Sequence, residues 1–361
     1  MTCSGNNKWV RKTVERIAII GLGKAGRTIH LPALKKLKNV QIVGAYDVQG
    51  GGEALGLPSF SSIDQMLAEA RPDMVVVATP PASHVELTRR ALLADCHVFC
   101  EKPLAETMAD ADAIAALAAE RRRQVVVNSE FPFMPIHWEA KRRMSQPGFG
   151  DLQFVMIQQS FVVTPETEEG WRGADPQRTL KEFGTHVLDL AQFFYGERPL
   201  SLRARMPRPG RPDGPDYLNL LELEFSGERF AQITLDRLTR GRHRYLDIRL
   251  DGTEAAIETR LGGRMQAKAG LRPRTRRPFV ELDMAMGGTA RLYRGEACER
   301  IATAPLDLFA DATAQLLGMS IEAINAGRPP PYTLDDARHT LRLLLACYEA
   351  ESGGVIRCGE W

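Results

Sequence analysis

Long apolar runs are missing from this chain of 361 residues. The longest, such as Met74 to Ala78, fall far short of the ~18 residues that cross a bilayer. A surplus of charge is also missing, because 47 Lys and Arg stand against 45 Asp and Glu, a net charge of +2. This balance argues against a chain whose main work is neutralising nucleic-acid phosphates. Neither a membrane nor a nucleic-acid partner is therefore expected.

Cysteine is sparse, and the six cysteines show no close-set pattern with histidines. No metal site is therefore expected. Cys96 and Cys100 flank an apolar segment and are interpreted as small buried thiols, which suits a reducing cytoplasm. Residues 1–14 are polar and basic, and the apolar stretch Ile17 to Leu22 is shorter than the core of a secretory signal. We expect residues 1–14 to be a flexible extension.

Residues 15–133 alternate between short apolar runs and helical patterns. Continuous apolar strands separated by helices predict a parallel sheet covered on both faces. The predicted strands are Ile17–Ile20, Val40–Tyr46, Ser59–Phe60, Met74–Ala78, His97–Cys100 and Gln124–Val127, and the predicted helices are Ala25–Leu37 (bent at Pro32), Ser62–Ala70, Ser83–Ala94 and Ala105–Arg122.

After residue 133 the pattern changes to strand-like segments in series. Leu221 to Phe225 alternates strictly between apolar and acidic residues, as a strand with one wet face does. Residues 134–361 are therefore predicted to form an α+β domain with a large, open, mostly antiparallel sheet. Its predicted strands are 151–163, 201–206, 217–225, 230–235, 245–250, 255–259, 265–269 and 290–293, and its predicted helices are 136–144, 180–194, 306–326 and 334–351.

A glycine motif directly follows the first predicted strand. In Gly21-Leu22-Gly23-Lys24-Ala25-Gly26, the first glycine suits a tight turn, the second a close approach of backbone to pyrophosphate, and the third close packing of helix on strand. In this position the motif predicts a Rossmann domain that binds a dinucleotide at a helix N-terminus.

Asp47 ends the second predicted strand, 47 − 26 = 21 residues past the last glycine. The expected spacing for the acidic residue that binds the adenosine ribose diol is ~20 residues. A carboxylate there also repels a 2′-phosphate, and Val48-Gln49-Gly50 offers no arginine to bind one. NAD is therefore favoured over NADP.

Two further loops follow buried strands, at the sheet edge where open α/β folds bind ligands. One is Thr79-Pro80-Pro81 and the other is Glu101-Lys102-Pro103. A lysine is normally a solvated surface charge, but Lys102 directly follows a predicted buried strand and is flanked by Glu101 and Pro103. It is therefore a candidate for polarising a substrate oxygen.

The chain resembles the Gfo/Idh/MocA oxidoreductases, the family of glucose–fructose oxidoreductase and inositol dehydrogenase. The resemblance runs from about Arg16 to the C-terminus. It rests on the glycine motif with His30 and Pro32, on Thr79-Pro80-Pro81-Ala82-Ser83-His84, on Glu101-Lys102-Pro103, on Trp171-Arg172, and on Gly184-Thr185-His186-Val187-Leu188-Asp189-Leu190.

The resemblance implies roles for individual residues. Lys102 would contact both nicotinamide and substrate, with a cis peptide before Pro103. His186 would be the general base, and Glu182 the acid one helical turn before it, on the same helix face. A carboxylate near an imidazole orients it and raises its proton affinity. The implied cofactor contacts are Gly21, Leu22, Gly23, Lys24, Ala25, Gly26, Asp47, Thr79, Pro80, His84, Glu101, Lys102 and Asn128, and the implied substrate contacts are Lys102, Trp171, Arg172, Glu182 and His186.

Three departures from the family pattern bear on the substrate. The family more often has Asp at the position of Glu182. The glycines that commonly precede it are replaced by residues 178–181, and Pro132 stands where a frequent family arginine would be.

Several of these residues also have a purely structural interpretation: His84 as a helix cap, His186 and Trp171 as packing, and His30 and His97 as structural histidines. The basic segment Arg272 to Arg277 is either a solvated loop or an attraction for an anionic substrate or partner.

The predicted reaction is reversible hydride transfer between a nicotinamide and a secondary alcohol of a sugar, cyclitol or related polyol. Two alternatives stay open: a non-catalytic dinucleotide-binding sensor on the same fold, and a redox-assisted glycoside hydrolase or lyase. A homodimer or homotetramer through the C-terminal sheet is also expected, since a sheet face without helices exposes apolar residues.

Overall fold

The structure, a computed structural model, describes residues 14–162, 176–210, 212–240, 245–262, 264–271, 278–285, 287–304 and 307–360. Residues 1–13 of the predicted extension, together with Trp171, Arg172 and Arg272 to Arg277, lie outside these ranges. The chain divides into two compact units. The first comprises Met1–Asn128 with Thr313–Arg338, and the second comprises Ser129–Ala312 with His339–Trp361.

The first unit is built on a parallel sheet of five strands in the order β2-β1-β3-β4-β5. All four residues of β3 are buried, as a sheet covered on both faces requires. This confirms the predicted Rossmann-type fold. The strands are β1 (Arg16–Ile20), β2 (Gln41–Tyr46), β3 (Met74–Val77), β4 (His97–Cys100) and β5 (Val125–Val127), and the helices are α1 (Leu31–Lys36), α2 (Ile63–Ala70), α3 (His84–Leu93) and α4 (Met108–Arg121).

Three local predictions for this unit were wrong in detail. Ser59–Phe60 is not a strand, because this stretch makes only a single bridge between Ala45 and Ser59. The helix predicted from Ala105 begins at Met108, since the Thr107 hydroxyl accepts the Asp110 N–H and caps it there. The helix predicted from Ala25 contains a wide π-helical turn over Gly26–His30 before α1.

The C-terminal residues of the first unit complete its apolar core. Ala337 lies in the core cluster with Leu87 and Leu92 of α3. The Asn325 side chain accepts the backbone N–H of Val14, 311 residues away. The compact unit thus includes residues from near the C-terminus that lie far from the glycine motif along the chain. The domain boundary predicted between residues 133 and 134 stays a prediction.

The second unit contains a nine-stranded sheet in the order β15-β14-β11-β10-β6-β9-β8-β7-β16, and a separate hairpin, β12-β13. Neighbouring strands are antiparallel except β6 and β9, which are parallel, so the predicted mostly antiparallel sheet is confirmed. The elements are β6 (Leu152–Ser160), β7 (Ser201–Arg205), β8 (Leu218–Phe225), β9 (Arg229–Asp236), β10 (Leu246–Gly252), β11 (Ala256–Leu261), β12 (Arg264–Leu271), β13 (Pro278–Ala285), β14 (Gly288–Arg294), β15 (Ala297–Ala304), β16 (Ser352–Arg357), α5 (Pro135–Met144) and α6 (Arg178–Tyr195). Two more helices, α7 (Leu308–Asn325) and α8 (Leu334–Glu349), are divided between the units, because Thr313–Arg338 belongs to the first.

The faces of this sheet differ in polarity. In β8, Leu221, Leu223 and Phe225 are buried while Leu220 and Glu222 point the other way and are more exposed. Helix α6 contacts β6, β8 and β9, and α5 contacts β11, β14 and β15. The strands β13, β15 and β16 were not predicted. Neither β15 nor β16 has a continuous apolar or alternating pattern, whereas Val280 to Met284 of β13 does alternate between apolar and acidic residues. In the described ranges, no helix is both long and apolar enough to cross a membrane.

Candidate active site

The glycine motif forms a tight turn between β1 and the first helical turn. Gly21 has φ +99°, which favours glycine, and a Cβ there would lie 2.6 Å from the Ala78 carbonyl oxygen. A Cβ at Gly26 would overlap the Gly21 carbonyl oxygen. At Gly23, by contrast, a Cβ would meet nothing within 4 Å. Two glycines are therefore required by the fold, and the middle one faces open space.

Asp47 directly follows β2 and is tied to the glycine motif. Its Oδ2 accepts the Leu22 N–H at 2.6 Å, and its Oδ1 accepts the Gln49 N–H at 2.8 Å. Each carboxylate oxygen can accept a further hydrogen bond. The carboxylate is thus fixed beside the glycine motif, with capacity left for a diol.

These residues fit a dinucleotide. Open space at Gly23 lets a pyrophosphate approach the backbone, and Asp47 can accept hydrogen bonds from a ribose. Lys24 and Ala25 begin the helical turn, with the Lys24 side chain exposed. The side chain of Arg27, which the sequence reasoning did not consider, donates to the Leu22 carbonyl and lies next to Gly51.

The Glu101-Lys102-Pro103 loop is held through its glutamate. Glu101 Oε1 lies 2.7 Å from His30 Nε2 and accepts a 2.9 Å bond from Asn128 Nδ2. Burial would raise the pKa of Glu101, but His30, Lys102 and Asn128 together lower it well below its usual range. His30 is therefore more than packing, since it anchors the residue before Lys102. The Lys102–Pro103 peptide is cis, as the resemblance implied.

His84 lies at the start of α3 and is fully buried. Its Nδ1 is 2.7 Å from the Pro103 carbonyl oxygen, and its Nε2 is 2.8 Å from that of Thr79. Both ring nitrogens thus meet carbonyl oxygens and not helix N–H groups, so the helix-cap reading is wrong. Beside it, Pro80 precedes a short 3-10 turn over Pro81–Ser83.

Helix α6 carries both Glu182 and His186, four residues apart, on one face. Its N-terminal N–H groups are capped from a distant segment. Asp216 accepts the N–H groups of Thr179 (2.8 Å) and Leu180 (3.1 Å). Burial raises the pKa of this carboxyl, although the bonds to it act in the opposite direction. Asp216 therefore fixes the end of the helix from which the candidate residues project.

Glu182 forms an ion pair with Arg237, whose Nη1 lies 3.3 Å from Oε2. Both side chains are largely buried, at 14% and 3% exposure. Arg237 and Arg178 also lie over the ring of Tyr217. Arg178, one of the residues that replace the usual glycines, is itself only 2% exposed. Sequence patterns gave no signal for Arg237, because 55 residues separate it from Glu182.

His186 is stacked on Phe131, with ring centroids 4.0 Å apart and planes inclined by 24°. Phe131 is 1% exposed and His186 is 4% exposed. His137 Nδ1 lies 2.7 Å from the Phe131 carbonyl oxygen and holds that backbone in place. The imidazole plane is therefore fixed by an aromatic neighbour that sequence reasoning missed.

Tyr245 lies at the same aromatic cluster, 6.3 Å from the Phe131 ring centroid. Burial raises the pKa of its hydroxyl, and the charges of Glu130 and Glu182 raise it further. Within the described residues, no group of three or more His, Cys, Asp or Glu side chains is placed to hold a metal ion.

The candidate residues fall in both compact units. The glycine motif, Asp47, Thr79, His84, Lys102 and Asn128 belong to the first, and Glu182 and His186 belong to the second. A parallel sheet with this glycine motif, followed by a second unit on a mostly antiparallel sheet, defines a two-domain dinucleotide-binding protein.

The comparison with known families makes this class specific. The NAD-binding Rossmann fold of the GFO/IDH/MocA oxidoreductase family matches residues 15–129, and the C-terminal domain of that family matches residues 137–258. The chain belongs to the Gfo/Idh/MocA oxidoreductase family.

Curated relatives resemble part of the chain. Inositol 2-dehydrogenase of Rhizobium meliloti is 26% identical over 52% of this chain and 57% of its own length, and D-apiose dehydrogenase of Paraburkholderia graminis is 26% identical over 51% of each. The chain spans between about half and 62% of the length of the first relatives it matches.

Solved structures match nearly the whole chain. An oxidoreductase from Agrobacterium radiobacter in complex with NAD+, L-tartaric acid and magnesium superimposes with a TM-score of 0.80, at 18% identity over 96% of this chain and 99% of its own. The aldose-aldose oxidoreductase of Caulobacter crescentus, complexed with glycerol, gives 0.77 at 22% identity over 95% and 99%. At these identities the likeness supports the fold.

Proposed function

We propose that this protein is an NAD-dependent dehydrogenase that acts on a secondary alcohol of a sugar, cyclitol or related polyol. The observation that carries the proposal is the anchoring of Glu101 by His30 and Asn128. It fixes the backbone at the carboxyl end of β4, from which Lys102 projects. A fixed ammonium can stabilise negative charge on a substrate oxygen at little cost in reorganisation.

His186 is the proposed general base. It removes the hydroxyl proton during oxidation and returns it during reduction, while Lys102 stabilises the oxygen. When bound, the nicotinamide supplies the acceptor or donor of the hydride. Glu182, one turn before His186 and held by Arg237, is proposed to orient the imidazole. Phe131 keeps the ring in one plane.

The substrate contacts beyond these residues are proposed from the resemblance. Trp171 and Arg172 remain candidates for substrate binding. Thr79, Pro80, His84 and Asn128 remain candidates for the cofactor side. NAD is preferred to NADP because Asp47 would repel a 2′-phosphate. We also propose a homodimer or homotetramer through the exposed face of the nine-stranded sheet.

A panel of sugars, cyclitols and polyols, followed by NADH fluorescence, tests the activity. With a substrate in hand, Lys102→Ala and His186→Ala should each lower kcat by about 10²–10⁴-fold and keep NAD affinity near the wild-type value. Lys38→Ala and His97→Ala are the matched controls. Lys38 is an exposed lysine, and His97 lies at the N-terminal end of β4, the end opposite to Lys102.

The outcomes separate the alternatives. Wild-type turnover in both candidate variants would remove these residues from the mechanism. Dinucleotide binding without turnover on any substrate would favour a sensor. Product formation without net change in NADH would favour a redox-assisted hydrolase or lyase, in which the cofactor is recycled within each turnover.

A further inference from the structure

The fully buried imidazole of His84 connects two loops at the carboxyl edge of the parallel sheet. Nδ1 faces the Pro103 carbonyl oxygen at 2.7 Å, and Nε2 faces the Thr79 carbonyl oxygen at 2.8 Å. Thr79 follows β3 and Pro103 follows β4, so the ring spans adjacent strand ends. His84 and Thr79 belong to one sequence motif and Pro103 to another, and neither motif by itself indicates that the ring joins the two loops.

The two contacts define the protonation state of the ring. A carbonyl oxygen only accepts hydrogen bonds, whereas a neutral imidazole carries a single N–H. A neutral ring would therefore place a nitrogen lone pair against one of the two oxygens, inside the fold and away from water. Both contacts are favourable only when both nitrogens carry hydrogen.

We propose that His84 is a positively charged positioning residue, which ties the loop after β3 to the cis Lys102–Pro103 peptide. It does not have to touch the cofactor or the substrate to do this. It acts through the backbone carbonyls of Thr79 and Pro103, which it holds in place.

The surroundings of the ring support a cation. Burial by itself lowers the pKa of His84, but the Cys100 side chain and the two carbonyl oxygens outweigh it and raise the pKa to about 9. Among the described residues, the titratable side chain that acts on the ring is that of Cys100, at the end of β4, which is fully buried. On α3 itself, Glu86 and Arg89 pair with each other at the surface.

The proposal also explains how the lysine loop is held at both ends. Before Lys102, the Glu101 side chain is anchored by His30 and Asn128. After it, the Pro103 carbonyl is anchored by His84. Two histidines from different segments thus restrain one short loop, which limits the positions that its backbone can adopt.

Nitrogen-15 NMR of the wild-type protein tests the charge directly. The chain has seven histidines, so selective histidine labelling gives few ring signals, and their assignment uses single His→Gln variants. At pH 7.5 we expect both ring nitrogens of His84 to carry hydrogen, and one of them to lose it only near pH 9. A neutral ring at pH 7.5, with one unprotonated nitrogen, would overturn the proposal. This measurement requires no substrate, and if His84→Gln does not fold, variants of the other six histidines assign the His84 signals by elimination.

His84→Gln tests the positioning role, with His97→Gln as the matched control. A neutral amide forms weaker hydrogen bonds to the two carbonyls than a charged ring does. We therefore expect kcat to fall roughly tenfold to a hundredfold, and the decline of kcat that the wild type shows near pH 9 to disappear. His97→Gln should keep the wild-type profile. If His84→Gln keeps both the kcat and the alkaline limb of the wild type, the positioning role is refuted. This arm rests on the proposed function, whereas the NMR arm does not, so the two failures can be told apart.

Discussion

An added methyl group should affect folding stability at the last glycine of the motif and NAD affinity at the middle one. At Gly26, a Cβ would lie 3.0 Å from the Gly21 carbonyl carbon and closer still to its oxygen. At Gly23, it would meet nothing within 4 Å. Gly26→Ala and Gly23→Ala are therefore a matched pair within one loop.

The magnitude for Gly26→Ala follows from two opposing effects. Alanine is a better helix former than glycine by about 1 kcal/mol, which would favour the variant. The overlap with Gly21 is with backbone, which cannot rotate away as a flexible side chain would. Forced overlap in a packed region costs about 1–3 kcal/mol, and occasionally more. We expect the steric effect to exceed the propensity gain.

Thermal unfolding measures the first outcome, since each kcal/mol corresponds to about 2–4 °C for a unit of this size. Gly26→Ala should lower the Tm by a few degrees, and Gly23→Ala should leave it unchanged. Titration calorimetry with NAD measures the second outcome. Gly23→Ala should weaken binding by about tenfold or more, or about 1.4 kcal/mol, because its methyl group fills the space offered to a pyrophosphate.

Two results would refute this reasoning. An unchanged Tm for Gly26→Ala would show that the loop accommodates the side chain and that the third glycine is not required by packing. Wild-type NAD affinity in Gly23→Ala would show that the dinucleotide does not use the open space at this position.

Three further predictions concern charge. Asp47→Asn should reduce the preference for NAD over NADP in the ratio of kcat/KM values, because it removes the repulsion of a 2′-phosphate; a wild-type protein that prefers NADP would contradict the assignment. Burial lowers the pKa of His137 to about 4, so the stability from its neutral ring is fully present above pH 6.5 and is lost as the pH falls towards 4, by up to about 3 kcal/mol. In urea unfolding, His137→Asn should lose less stability than the wild type between pH 6.5 and pH 4. An identical pH dependence in the two proteins would show that His137 is not the cause. Arg237→Met leaves the Glu182 carboxylate buried without its arginine and should destabilise the protein by about 3–5 kcal/mol. Adding Glu182→Gln should recover part of that loss in a double-mutant cycle, and purely additive effects would show that the pair does not interact.

The buried parallel strands could be predicted because their signal is local. Met74 to Val77 forms a continuous apolar run, and a run of that kind is stable only when it is covered on both faces. The glycine motif carried a comparable signal, because Gly21 and Gly26 answer steric demands of one turn and Gly23 leaves open space beside it. The same reasoning failed at Ser59–Phe60, where residue types suited a strand but the chain makes a single bridge.

The second unit was predicted less completely. Its central strands alternate or are apolar and were found, whereas β15 and β16 are mostly exposed and have no such pattern. Edge strands of this kind are defined by hydrogen bonds to a neighbour, and these bonds leave little trace in the choice of side chains.

The amino-acid sequence by itself determined the fold class, the order of the buried strands of the first unit and the motifs at the strand ends, because these depend on local periodicity and on spacing along the chain. Only the tertiary structure decided what surrounds the candidate side chains. It placed Arg237 against Glu182, Phe131 against His186, and the buried ring of His84 between the Thr79 and Pro103 carbonyls. Such pairings arise when segments distant in the chain pack together, and no pattern within a single segment records them.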